Sequence, residues 1–65
     1  MQFEIEAPTT SPKELGYDRE CRKAVRPAFE SLVQAASNAG WDKERLTYEL
    51  MYLASEMIGE FRKAS

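Results

Sequence analysis

Few side chains in this sequence have the type and spacing to do chemistry. Cys21 is the one cysteine, and there is no histidine. A thiol attacks as its thiolate, and without an imidazole to take the proton Cys21 lacks the usual partner base. One thiol cannot close an internal disulfide, nor build a zinc site with no histidine beside it. Cys21 falls on an apolar stripe, so the expectation is a small packed hydrophobe. Glu56 and Glu60 are carboxylates four residues apart, a spacing that sets two acids on one helical face for acid–base work. The same spacing is commonplace on solvated helices. No nucleophile–base pair, glycine-rich phosphate loop or metal constellation accompanies it. The reading is therefore not an enzyme, with no cofactor, no metal and no small-molecule substrate.

Two further groups suit recognition better than catalysis. Arg19, Arg22, Lys23 and Arg26 fall within about 100° of arc on one helical wheel. They could receive phosphate or an acidic partner, or serve as a charged rim that pairs with Glu49, Glu56 and Glu60 on a neighbouring helix. Exposed pairs of that kind contribute only about 0–1 kcal/mol, so they steer partner choice more than they stabilise. Tyr48 and Tyr52 share an outer face with Ser55 and Gly59, and Met51 stands at its edge. Large aromatic rings beside small residues describe a surface that another helix can approach closely. Tyr48, Met51, Tyr52, Ser55 and Gly59 are the candidate protein-binding residues. The competing reading is that Phe3 and Ile5, or Leu15 and Tyr17, cover the tyrosine rings.

The elements that must position these groups are two helices and the joint between them. Over Cys21, Ala24, Val25, Ala28, Phe29, Leu32, Val33 and Ala36 the apolar intervals are three and four, which gives one helical stripe. The stripe keeps its phase across Pro27, predicting a single helix kinked where the proline removes the bond to the Lys23 carbonyl. Leu46, Leu50, Leu53, Ala54, Met57, Ile58 and Phe61 form a second stripe. Met51 widens it to roughly 160°, more than one facing helix covers. Between the stripes, Gly40 suits the left-handed residue that closes a helix, and Asp42 suits the cap that opens the next. Trp41 can pack back on Ala36 or forward on Leu46. A connection this short predicts an antiparallel hairpin.

Ahead of the helices, residues 2–7 alternate with Phe3, Ile5 and Ala7 on one face, the period of a strand with no partner strand in the sequence. Pro8 to Pro12 reads as an extended connector. Residues 1–11 are accordingly expected as a flexible or strand-like arm. The first helical segment is expected over about 12–39, opened by a Ser11–Pro12–Glu14 capping box; Gly16 soon interrupts it, so this opening is a single turn if the main helix begins near Asp18, a second cap. The second helix is expected over about 42–63.

Sixty-five residues make one small domain, which buries only roughly 60% of the surface its unfolded chain exposes. Self-association or a partner is the remaining source of stability once disulfides and metals are set aside. Nine basic against eleven acidic residues give a net charge of −2, which argues against nucleic acid as a partner. No signal-peptide pattern and no membrane span are read, so a cytoplasmic protein is expected.

Helix-turn-helix DNA binding is the alternative, because Ala36, Gly40 and Leu46 match the alanine–glycine–aliphatic spacing of that motif. Against it, the reading helix would set Asp42, Glu44 and Glu49 against only Lys43 and Arg45, a poor face for a groove of phosphates. Glu49 also stands where the motif wants a buried residue. The sequence therefore reads as an all-α hairpin that completes a four-helix bundle as a homodimer or on another protein. Small acidic modules of this architecture include regulators that mask another protein, as an inhibitor or antiactivator of a transcription factor does; that step is analogy.

Overall fold

Two helices make up the regular structure of residues 4–64, the residues described in the computed structural model. Helix α1 is Tyr17–Asn38 and helix α2 is Lys43–Ala64, and no strand occurs among the described residues. Of the flexible or strand-like arm expected over 1–11, residues 4–7 form no strand, and positions 1–3 lie outside the described residues. The chain divides into two compact units at Leu32 and Val33, inside α1.

In the first unit α1 starts at Tyr17, past the Ser11–Pro12–Glu14 signal and one residue before Asp18. The Ser11–Pro12–Glu14 signal does produce a turn, with the Glu14 amide on the Ser11 carbonyl at 2.9 Å. A second turn follows, with the Tyr17 amide on the Glu14 carbonyl at 3.2 Å. Two isolated turns do not propagate, and Gly16 adds the backbone entropy that works against helix growth. Regular helix begins where the Glu20 amide reaches the Gly16 carbonyl at 3.0 Å, with Asp18 and Glu20 in the first turn where negative charge meets the positive end of the helix dipole. From there α1 runs through Pro27 as one helix. Pro27 has no N–H to give the Lys23 carbonyl.

The second unit holds the joint, where the end of α1 and the start of α2 are both capped. Gly40 has φ of 114°, the left-handed region that a Cβ disfavours. The Trp41 amide donates back to the Ala36 carbonyl at 3.1 Å and the Gly40 amide to the Ser37 carbonyl at 3.0 Å. This is the paired bonding of a Schellman motif, which satisfies carbonyls that the helix end leaves over. Across the joint Asp42 caps α2: its Oδ2 accepts the Arg45 amide at 2.9 Å, and its carbonyl accepts the Leu46 amide at 2.9 Å. Side chains add a polar bridge. Lys43 Nζ donates to Gln34 Oε1 at 3.4 Å, and Gln34 Nε2 donates to Asn38 Oδ1 at 2.9 Å.

No described side chain is buried. Cys21, expected as a packed hydrophobe, is exposed, although it lines a cleft with Glu6 and Pro8. Trp41 keeps its backbone role as the residue after the terminating glycine, but its indole is 69% exposed. It stands beside Ala36 and Leu46 around an open cleft that Asp42, Arg45 and Glu49 complete.

Candidate functional site

Helix α2 places Tyr48, Met51, Tyr52, Ser55 and Gly59 at intervals of three and four, so they occupy neighbouring positions on one side of the helix. The helix forms there because strong formers, with Leu, Glu, Met, Lys, Arg and Ala making up most of α2, outweigh weaker ones such as Tyr48, Tyr52, Ser55 and Gly59. Glu44 sits in its first turn, Arg62 and Lys63 sit in its last, and both ends suit the helix dipole. Thr47 is held within it, its hydroxyl donating to the Lys43 carbonyl at 2.8 Å. Tyr48, Met51 and Tyr52 are 60–63% exposed, Ser55 is exposed, and Gly59 is partly exposed. A Cβ built on Gly59 meets no atom within 4 Å. Of the residues expected to cover the tyrosines, Leu15 is itself at full exposure, and Phe3 lies outside the described residues.

The other side of α2 is equally open. Leu53, Met57, Ile58 and Phe61 are 53–66% exposed, while Leu46 and Leu50 nearer the joint are partly covered. Fully burying side chains of this kind contributes about 1.5–3 kcal/mol each. With about half of each surface still in water, these four hold on the order of 3–6 kcal/mol of unrealised burial.

Arg19, Arg22, Lys23 and Arg26 are all exposed on α1, in the first unit. The binding-face residues belong to the second unit, so the two groups are built by different parts of the chain. Glu56 and Glu60 are exposed on α2. Among the described residues no three histidine, cysteine, aspartate or glutamate side chains converge to hold a metal ion. No helix among the described residues is long and apolar enough to cross a membrane.

The strongest polar cluster was not anticipated from the sequence. Glu20 Oε1 accepts the Thr9 amide at 3.0 Å, the Thr10 amide at 3.0 Å and the Thr10 hydroxyl at 2.6 Å. Its Oε2 accepts the Thr9 hydroxyl. A carboxylate offers about four acceptor positions, and two adjacent residues fill that number. These bonds favour the charged form and hold the Glu20 carboxyl at about 2, well below the ordinary 4.5. The Thr10 hydroxyl contributes most, then the Thr9 hydroxyl; desolvation opposes them by more than either amide bond contributes. The sequence does carry a signal for it: two adjacent threonines ahead of a helix that has an acid in its first turn.

No family model matches this sequence, and neither a curated protein nor a solved structure does.

Proposed function

We propose that this chain is a non-enzymatic helical interaction module whose helices form a hairpin and finish their core by association. The observation that carries this reading is the apolar row Leu53, Met57, Ile58 and Phe61, each more than half exposed on α2. Helices in proteins take most of their stability from packing an amphipathic face, and these four side chains keep more than half of their surface in water. Magnitude favours a partner face as apolar as this one. Association costs an estimated 4–15 kcal/mol in lost freedom, so roughly 3–6 kcal/mol from one row alone is marginal. Two such rows together contribute about 6–12 kcal/mol, enough to compete. A second copy supplies that match directly, which is the four-helix-bundle reading with α1 kinked at Pro27 and the leading residues as an arm.

The outer face of α2, with Tyr48, Met51, Tyr52, Ser55 and Gly59, is then left for a target protein. Tyrosine gives large contact area for few rotors to immobilise, and small neighbours permit close approach. The exposed basic residues Arg19, Arg22, Lys23 and Arg26 would form a charged rim that sets orientation and on-rate. In this reading the protein is a cytoplasmic regulator that masks its target, in the manner of an inhibitor or antiactivator of a transcription factor.

Sedimentation equilibrium over a wide concentration range tests the first step. Wild type should be dimeric at micromolar concentration, and replacing Leu53 and Met57 with glutamate should leave a monomer. The double variant Tyr48→Ala, Tyr52→Ala should keep both the dimer and the far-ultraviolet helix signal while losing target capture. A chain that stays monomeric at every concentration and has no protein target would overturn the proposal.

A further inference from the structure

Residues 4–10 form neither helix nor strand, yet they are placed against α1. Two clefts mark where they lie. One is lined by Glu6 and Pro8 of the segment and by Tyr17, Glu20, Cys21 and Val25 of the helix. The other runs between Glu4, Ala7 and Thr9 on one side and Lys23 and Pro27 on the other. Ala24 lines both clefts and is partly covered, in contrast to the exposed Cys21 and Val25 beside it.

What holds the segment there is concentrated at one place. Among the described residues, the hydrogen bonds from this segment to α1 all end on the Glu20 carboxylate. The rest of the segment brings little attraction of its own. Glu4 and Glu6 carry the same charge as Glu20, with Lys23 the one cation lining the cleft they share. Ile5, its largest described apolar side chain, is more than half exposed. The amide bonds fix the backbone of two consecutive residues, and the hydroxyl bonds fix their rotamers. Removing the carboxylate therefore leaves four donors to water at once, and nothing else in the segment replaces them.

We infer that residues 4–10 are a strap over the N-terminal half of the α1 stripe, and that Glu20 is the single latch that keeps it closed through Thr9 and Thr10. With the latch open, Ala24 becomes accessible along with its neighbours, and α1 presents a continuous apolar stripe. With it closed, Ala24 is partly covered where the chain's own leading segment lies. Strap and latch lie within one chain, so their test is independent of any partner.

The experiment uses the full chain and three readouts. Amide hydrogen exchange is followed at Thr9 and Thr10, glutamyl-endopeptidase cleavage after Glu4 and Glu6, and iodoacetamide labelling at position 24 in a Cys21→Ser, Ala24→Cys background. Glu20→Ala should speed exchange of both amides about tenfold or more, since each loses its acceptor, and should speed cleavage and labelling several-fold. Thr9→Val with Thr10→Val leaves α1 unaltered and keeps the amide donors. It should give a smaller change of the same sign, separating strap release from any fraying of α1. Exchange and cleavage unchanged in Glu20→Ala would overturn the latch. Faster exchange with unchanged labelling at position 24 would overturn the covering role.

Discussion

Adding one methyl group to Gly40 and to Gly59 should move stability in opposite directions. At both positions a Cβ meets no heavy atom within 4 Å, so neither substitution creates a clash. What differs is the backbone. Gly40 sits at φ 114°, and forcing an L-residue into left-handed backbone costs roughly 1–2 kcal/mol. Gly59 lies inside α2, where alanine is favoured over glycine by about 0.8–1.0 kcal/mol. Its place near the helix end reduces that gain somewhat through fraying. For a domain of this size about 1 kcal/mol shifts Tm by roughly 4–8 °C. Gly40→Ala should therefore lower Tm by about that amount or more, and Gly59→Ala should raise it by slightly less. Thermal denaturation followed at 222 nm reads both, at a concentration low enough to keep association out of the signal. A synthetic chain with D-alanine at 40 completes the test, because its Cβ fits positive φ; it should match or exceed wild type. If Gly40→Ala and Gly59→Ala shift Tm in the same direction, or D-alanine is as harmful as L-alanine, the left-handed closure of α1 is not what fixes the joint.

Two further outcomes follow from the caps and the latch. Asp42→Ala removes the acceptor of the Arg45 amide and should cost about 0.5–2 kcal/mol, whereas Asp42→Asn should retain most of it, read by denaturant titration. Glu20 is held at about 2, below its ordinary 4.5, so its contribution is complete above pH 4.5 and is lost as pH falls through about 2. Carboxyl carbon shifts recorded against pH, with the Thr9 and Thr10 amides followed alongside, should move together near pH 2; a Glu20 midpoint close to 4.5 would remove the latch's electrostatic basis.

The joint was legible because its chemistry is local. A glycine that must take positive φ and an aspartate that must cap declare themselves within a few residues, between the end of α1 at Asn38 and the start of α2 at Lys43. The start of α1 carried two competing signals, the Ser11 box and Asp18. Ser11, Pro12 and Glu14 carry real capping signals and do make turns, but helix growth needs the next residues to continue, and Gly16 stands there. The stripe of α1 predicted a helix through Pro27 correctly, since side-chain periodicity survives the loss of one backbone bond. It also predicted a packed Cys21, and that failed: periodicity says which face is apolar, not whether anything lies on it. The candidate binding residues were placed on one side of α2 by spacing alone. Glu20 escaped notice because its partners are ten and eleven positions away, beyond the reach of helical wheels and caps, and a glutamate in a first helical turn already has an ordinary explanation in the dipole.

The joint at Gly40, Trp41 and Asp42 also has a kinetic meaning. Its backbone bonds close loops of three to five residues, and even the Lys43–Gln34 bridge spans only nine. Closing a loop of about ten residues takes roughly 10–100 ns, and helix–coil relaxation about 0.1–1 μs. An elbow made of such contacts re-forms many times during an encounter that lasts microseconds, even in a chain that has just melted. The slow part of any association would then lie in diffusion and in bringing the right faces together, not in making the bend.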